Sequence, residues 1–140
     1  MKLIDTNVVM YAVGRPHPYK DACALLLRDV TDGIGSFNLD TELLQEVRYV
    51  YTARGQRPFA LEVCSRLLRS FRAPFPVARE EIVEAHDLMS RYPFLLPRDA
   101  IHAAVVKTYD LEGIVSADKV FDAVGEVKRF DPLALYPPGR

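Results

Sequence analysis

The sequence of 140 residues lacks any long hydrophobic run. A membrane-spanning helix needs roughly 18 or more consecutive apolar residues, and no segment reaches that length. An acidic residue already stands at position 5, so the first segment does not resemble a signal peptide either. We therefore expect a cytoplasmic protein that does not enter a membrane.

Cysteine is also scarce, since the chain has only two. Cys23 and Cys64 both lie in stretches where apolar residues recur at helical spacing. A reduced thiol buried as a small apolar side chain is the expected state, and neither a disulfide nor a thiolate metal site is predicted.

The chain also lacks a strong net charge of either sign, with a total of −1 and a pI near 6.3. The total therefore gives no sign of a nucleic-acid-binding protein. A cluster of acids would, however, cancel a basic rim around it. Basic residues do recur near the acids of interest, although a solvated helical face explains most of them equally well: Arg15, Lys20, Arg48, Arg54, Arg57, Arg98 and Lys119.

The composition that remains is that of an ordinary globular domain, with 49% hydrophobic and 26% charged residues. No repeat or linker divides it, so we predict one domain over 1–135 and a loose tail over 136–140. Helical spacing predicts helices near 19–30, 41–51, 59–71, 80–91 and after Pro97, with Asn38 or Asp40 capping the second. Predicted short strands alternate with them and end at Asp5, Phe37, Val77, Ser116 and Phe130. This alternation predicts an α/β fold with a parallel sheet covered by helices on both faces.

Two carboxylates stand at the ends of predicted strands. Asp5 closes the first strand and Asp118 follows a late one. In open parallel sheets the carboxyl edge is where ligands bind, although an aspartate in this position is also a common helix cap.

Two further acids lie in helices. Asp99 falls in a first helical turn, where the helix dipole favours it, but the surrounding helix is apolar enough to bury it. Glu42 and Glu46 share one helix face, and we choose Glu46 because it lies deeper in the apolar pattern. His102, one turn after Asp99, is either a base or ligand or, more commonly, a packed and hydrogen-bonded histidine.

Clustered carboxylates without histidine or cysteine ligands select hard ions such as Mg²⁺ or Mn²⁺. Such an ion lowers the pKa of an attacking water and polarises a phosphodiester. Because four unneutralised acids in one pocket repel each other, a bound cation is expected. The residues alone therefore predict hydrolysis of a phosphate ester.

Four segments together resemble the PIN-domain family, and within it the toxin ribonucleases of VapC type. They are LIDTN at 3–7, TELLQEV at 41–47, RDAIHAA at 98–104 and SADKVFD at 116–122. No single segment is specific, but their order and spacing are, and they span nearly the whole chain.

The resemblance implies a three-layer α/β/α sandwich with a central, mostly parallel sheet. It also implies a Mg²⁺- or Mn²⁺-dependent endoribonuclease that acts as the toxin of a toxin–antitoxin pair, forms a homodimer and is blocked by a cognate antitoxin. The family's four catalytic and metal-binding acids fall on Asp5, Glu46, Asp99 and Asp118.

Three further residues have supporting roles by the same resemblance. Asn7 matches the polar residue after the first acid, and Ser116 stands where threonine is commoner. Asp122 lies four residues beyond Asp118 and is an alternative late acid.

Two other functions stay open from sequence. The first is a catalytically silent PIN-like domain that binds RNA or serves as a scaffold. The second is a phosphatase or receiver-like domain, which is disfavoured because position 7 is Asn where such sites place a second acid. For a homodimer, aromatic and aliphatic residues of the early helices are candidate interface residues: Tyr11, Tyr19, Leu26, Tyr49, Tyr51 and Phe59.

Overall fold

A computed structural model describes residues 1–139, which form a four-stranded sheet covered by helices on both faces. The strands are β1 (Lys2–Ile4), β2 (Phe37–Asn38), β3 (Gly113–Val115) and β4 (Arg129–Phe130). The α-helices are α1 (Thr6–Val13), α2 (Lys20–Thr31), α3 (Thr41–Ala53), α4 (Arg57–Ser70), α5 (Arg79–Arg91), α6 (Pro97–Thr108) and α7 (Pro132–Leu135). A 3₁₀ helix (Lys119–Ala123) precedes β4.

The strands lie in the order β2, β1, β3, β4, and every neighbouring pair is parallel. The chain passes from β1 to β2 on one side and later enters β3 on the other side, so the strand order reverses between β1 and β3. The pairing continues beyond β1, where the Asp5 N–H donates to the Val115 carbonyl at 3.0 Å. In open α/β sheets, ligands bind at the carboxyl ends of the strands at such a reversal.

The two central strands are apolar on both faces because successive side chains point to opposite sides of a sheet. Ile4 and Val115 pack into one core cluster with α1, α2, α3 and α4. Leu3 and Ile114 pack into a second cluster with α5 and α6. The predicted three-layer α/β/α arrangement is therefore confirmed.

The helices that had predicted ends begin and end within two residues of those positions, and Asp40 is the cap of α3. The strand predicted to end at Val77, which would cover 73–77, does not form. Only one parallel bridge forms there, between Asp40 and Phe75. The Phe75 N–H donates to the Leu39 carbonyl, and the Phe75 carbonyl accepts from the Thr41 N–H. The prolines on both sides of Phe75 have no N–H with which to extend this ladder.

Burial separates the aromatic and aliphatic residues predicted to form a dimer surface. Leu26 and Tyr51 belong to the core and are not available to a partner, whereas Tyr49 is 69% exposed.

At the other end of the chain, the predicted tail includes Tyr136, whose hydroxyl donates to Asp29 at 2.6 Å. Tyr136 is thus held by the domain, while Arg140 lies outside the described residues. Among the helices of residues 1–139, none is long and apolar enough to cross a membrane.

Gly113 is required where β3 runs beside β4. A Cβ at this position would collide with the Lys128 carbonyl oxygen. We expect Gly113→Ala to lower the free energy of unfolding by about 2 kcal/mol or more, because backbone must move to accept the methyl group. Gly125→Ala is the matched control, since its Cβ would meet only the Tyr92 hydroxyl at 3.8 Å. Urea denaturation of both variants measures the difference, and equal stabilities would contradict the close packing of β3 against β4.

Candidate active site

Asp5 is buried at the carboxyl end of β1 and is fixed by three hydrogen-bond donors. Its Oδ1 accepts from the Thr6 N–H at 2.8 Å, which caps α1. Its Oδ2 accepts from the Ser116 hydroxyl at 2.6 Å and from the Asn7 amide at 3.1 Å. The carboxylate therefore has one orientation, set by residues from both central strands.

Ser116 connects the ends of β1 and β3. Its Oγ accepts from the Asn7 amide and from the Asp118 N–H, each at 3.0 Å. Asn7 also accepts from the Ala117 N–H at 3.3 Å. The residues predicted to support the site, Asn7 and Ser116, thus lie between Asp5 and the segment that carries Asp118.

His102 is fully buried beneath the acids and bridges two carboxylates. Its Nδ1 lies 2.7 Å from Asp40 Oδ2, and its Nε2 lies 2.8 Å from Glu46 Oε1. The Thr6 hydroxyl is 3.2 Å from the same Nε2. Because Asp40 also caps α3 by accepting from the Leu43 N–H at 2.9 Å, the bridge joins the start of α3 to α6.

The His102 bridge carries a positive charge. Burial alone would lower the pKa of His102, but the carboxylates of Asp40, Glu46 and Asp5 outweigh that effect and raise it well above the ordinary 6.5. Both ring nitrogens then donate, one to each carboxylate. An imidazolium therefore offsets part of the negative charge of the site from below.

Asp99 shows that the four predicted acids share one electrostatic environment. Burial raises its pKa from 3.8 to about 6, and the carboxylates of Asp5, Asp118 and Glu46 each add to this increase. Burial likewise raises the pKa of Asp5, and the His102 imidazolium opposes it. The pKa of Asp99 therefore responds to the other three predicted acids, which lie within electrostatic reach of it.

Two groups border the acids on the α3 side. Burial raises the pKa of Glu42, and Glu46 adds to the effect, so Glu42 lies near the site without touching His102. The exposed Arg98 guanidinium is 3.7 Å from Glu46 Oε2. Of the predicted basic rim, Arg98 is therefore the residue placed directly beside an acid.

Asp122 is engaged elsewhere. Its two carboxylate oxygens accept from the Arg129 Nε at 2.9 Å and Nη2 at 3.1 Å. Arg129 also donates to the Ser116 carbonyl at 3.0 Å, which steadies the end of β3. Asp118 is exposed, and its Oδ1 accepts from the Val120 N–H at 2.9 Å, while among the described residues no protein donor reaches its other oxygen.

The donor set of the site fits a hard divalent cation. Apart from the His102 ring and the Arg98 guanidinium beside Glu46, the groups around the acids are carboxylates, hydroxyls and amides, and oxygens of these groups are the ligands of Mg²⁺ and Mn²⁺. Within residues 1–139 no three His, Cys, Asp or Glu side chains are grouped closely enough to hold a metal ion by themselves. Mg²⁺ commonly uses one or two carboxylates and several waters, so a preformed cage is not required.

Sequence reasoning did not identify Asp40 as part of this site. It was predicted only as a helix cap, and capping uses one of its two carboxylate oxygens. Two sequence features indicate a further role for Asp40: its second carboxylate oxygen is not used in capping, and His102 stands in an otherwise apolar helix. The pairing itself depends on tertiary structure, because the two residues are 62 positions apart.

Comparison with known proteins gives one consistent family. Residues 2–127 match the PIN domain. The chain is 33% identical over 129 residues to VapC ribonuclease Mb1869c of Mycobacterium bovis and to ribonuclease VapC13 of Mycobacterium tuberculosis, covering 92% of this chain and 98% of each relative. Ribonuclease VapC23 of M. tuberculosis is 31% identical over 79% of this chain and 93% of its own length.

Solved structures give the same fold at low sequence identity. FitAcB from Neisseria gonorrhoeae has a TM-score of 0.71 at 18% identity, covering 94% of this chain and 98% of its own. VapBC2 from Rickettsia felis, bound to a DNA fragment from their promoter, has a TM-score of 0.70 at 12% identity, covering 93% and 98%.

His102→Leu tests the buried bridge. It removes the cation and leaves the Asp40 charge buried without its partner, which costs about 3–5 kcal/mol in comparable cases. We expect a loss of that size in the free energy of unfolding at pH 7, measured by urea denaturation. His86→Leu, at an exposed position of α5, is the control and should change stability by no more than about 0.5 kcal/mol. Similar losses in the two variants would contradict the bridge.

Asp99→Asn tests the repulsion among the acids without metal. The folded pKa of Asp99 is about 6 and its ordinary value is 3.8, so ionisation opposes folding and the wild-type protein loses stability as the pH rises from 4 to 6. The variant lacks this loss.

We therefore expect Asp99→Asn to match the wild type near pH 4. Above pH 6 it should be more stable by about 1 kcal/mol, a value reduced because the side chain is not fully shielded from water. Thermal or urea unfolding in EDTA across this pH range measures the difference. A variant that is less stable at every pH would show that Asp99 acts only as a first-turn acid of α6.

Proposed function

The chain belongs to the PIN-domain family, and on that premise we propose that it is a divalent-metal-dependent endoribonuclease, the toxin of a toxin–antitoxin pair. One observation carries the proposal. The Ser116 Oγ lies 2.6 Å from Asp5 Oδ2 and 3.0 Å from the Asp118 N, and the His102 Nε2 lies 2.8 Å from Glu46 Oε1 and 3.7 Å from Asp5 Oδ1. This geometry supports a common site for the acids at the reversal of the strand order, and the pKa of Asp99, which Asp5, Asp118 and Glu46 raise, agrees with it. The relatives at 31–33% identity are named ribonucleases.

Mg²⁺ or Mn²⁺ would be held by Asp5, Asp99 and Asp118, with Glu46 beside them. When bound, such a cation polarises a phosphodiester and lowers the pKa of an attacking water. Phosphate oxygens and water would complete its coordination, as is usual for these ions.

The protein's own contribution is orientation and charge. Ser116 and Asn7 hold Asp5, and the Ser116 Oγ fixes the Asp118 backbone. The His102 imidazolium holds Glu46 and keeps its Oε1 from rotating away. Glu46 Oε2 lies 3.7 Å from the Arg98 guanidinium, and we propose that it accepts a proton from the attacking water. Arg98 lies in position to meet the incoming phosphate backbone.

We assign the late acid to Asp118 rather than Asp122. Asp118 has one carboxylate oxygen without a protein donor, whereas the Arg129 guanidinium occupies both oxygens of Asp122. Asp122 then has a supporting role, because Arg129 holds the Ser116 carbonyl.

The proposed partners follow from the relatives. The neighbouring structures are named as FitAcB and VapBC2, and VapBC2 is described together with promoter DNA. We propose a cognate antitoxin that covers the acidic site, a homodimer as the active form and a cytoplasmic location where RNA is present. Of the predicted dimer residues, Tyr49 is the most exposed and is the best placed to meet a second copy.

The rival function is a PIN-like domain that binds RNA without cleaving it. We expect the purified protein to cleave a mixed RNA pool in Mn²⁺ and to stop in EDTA. Asp118→Asn should lower the cleavage rate by about a hundredfold or more because it removes a charge that the cation needs. RNA binding should persist.

Asp122→Asn is the matched control, one turn along the same segment. It breaks only an exposed ion pair, worth no more than about 1 kcal/mol, so it should cleave within a few-fold of the wild type. Full activity in Asp118→Asn together with lost activity in Asp122→Asn would reverse the assignment. An inactive wild type that still binds RNA would favour the rival function.

A further inference from the structure

We propose that a cleft next to the acidic site binds an unpaired nucleobase and its phosphate in the single-stranded RNA on which the enzyme acts. The inference rests on the proposed ribonuclease function. It identifies the surface that holds the RNA next to the cleaved bond and the groups that bind it there. The cleft has a volume of about 820 Å³ and lies between two walls. One wall is the end of α1 and the loop after it, and the other is the turn from α3 to α4. We call it the aromatic cleft.

The first wall presents aromatic rings that are already stacked. The Tyr11 and His17 rings have centroids 4.3 Å apart and planes 21° apart. Tyr19 stacks on Tyr11 at 5.5 Å and is anchored by donating its hydroxyl to Asp131 at 3.3 Å. His17 is the exposed member of this stack and the two tyrosines are partly buried. A fixed stack with an exposed ring is the platform on which proteins bind unpaired bases.

The second wall adds further rings and a cation. The partly buried Phe59 ring packs edge to face at 4.9 Å against Tyr51, which is almost fully buried behind it, and the exposed Arg54 guanidinium lies 5.7 Å from the Tyr51 ring centroid. Arg15 lines the opposite side of the same cleft. No acidic residue is among the described residues that line it. The cleft is therefore aromatic and cationic, which complements a base and a phosphate.

The position of the aromatic cleft matches RNA that also enters the acidic site. Helix α1 begins directly after Asp5, and α3 carries Glu46 in its first half, so each helix runs from one acid to the cleft. Tyr11 is six residues beyond Asp5 and Tyr51 is five beyond Glu46. At 1.5 Å per residue these separations are about 9 Å and 8 Å along the helix axes. Neighbouring nucleotides of one strand can thus occupy both places.

The charge of the cleft favours RNA over a protein partner. Scattered cations beside stacked rings hold a phosphate and a base with little demand on sequence, and the described residues of the lining include no carboxylate to repel a phosphate. Here exposed Arg15, His17 and Arg54 interrupt the apolar lining. A second copy of the chain seated on this face is the competing occupant and is one of the outcomes below.

The binding test uses the full chain in EDTA and a fluorescein-labelled single-stranded RNA of about twelve nucleotides, within the usual range for such sites. His17→Ala and Arg54→Gln change exposed side chains and should leave the fold intact. Each should weaken binding by about fivefold or more. Arg54→Gln should also lower the slope of log affinity against log salt by about 0.7, while His17→Ala should leave the slope unchanged. His86→Ala and Arg79→Gln, exposed on α5, are matched controls and should bind like the wild type.

A duplex RNA of equal length separates stacking from charge. Paired bases cannot stack on His17, so duplex binding should not respond to His17→Ala. Unchanged single-strand binding in both cleft variants overturns the proposal. So does a fivefold loss that is explained by a change in oligomeric mass in sedimentation, because the cleft would then be an interface between copies.

A cleavage test distinguishes failure of this inference from failure of the proposed function. With Mn²⁺, the cleft variants should raise KM for the single-stranded RNA by about fivefold and leave the hydrolysis of bis(p-nitrophenyl) phosphate unchanged, because that diester is too short to reach the cleft. Wild-type protein that cleaves RNA, with variants of unchanged KM, contradicts the aromatic cleft alone. Wild-type protein that cleaves neither substrate contradicts the ribonuclease function, and the EDTA binding result still decides the cleft.

Discussion

The buried His102 imidazolium holds the acidic site together. It lies between Asp40 and Glu46, with Nδ1 and Nε2 at 2.7 and 2.8 Å from their carboxylates, and it reaches Thr6 at the start of α1. One cation thereby fixes the beginnings of α1 and α3 against α6. A buried charge of this kind stabilises a protein only when its partners are present and well oriented. The imidazolium offsets part of the negative charge of the acids above it, so surface cations need not balance that charge in full.

Gathering acids at the edge between β1 and β3 leaves an unbalanced negative charge. The His102 imidazolium favours the ionised form of Asp5 and so opposes the increase in its pKa that burial causes. The pKa of Asp99 is nevertheless raised to about 6 by burial and by the neighbouring acids. In the proposed function, this residual charge would stabilise a cation that enters from solvent. Its geometry suits a hard ion with several waters, because only some carboxylate oxygens are engaged by protein donors. The same charge makes the cationic aromatic cleft useful, since RNA must be held close to an anionic surface.

Much of the fold could be predicted because the sequence signals are local. Apolar runs closed by Asp5 and by Ser116 mark the central strands, and helical spacing marks the helices that cover them. The edge strand at 73–77 could not be predicted correctly, since the prolines that mark its boundaries also prevent the ladder from forming. Of the site, the four acids could be chosen from their place after strands and in helices. The link from Asp40 to His102 could not, because it joins residues that only the packing of α3 near α6 brings together.

The central claim is that Asp5, Asp99 and Asp118 hold one divalent cation at the edge between β1 and β3. The most direct measurement is anomalous diffraction from crystals of the full chain soaked in Mn²⁺, with Asp99→Asn crystals treated in the same way. We predict a Mn²⁺ peak among these three carboxylates in the wild type and a strongly reduced peak in the variant. A wild-type crystal with no peak there, or with its peak at Asp122 instead, would contradict the account.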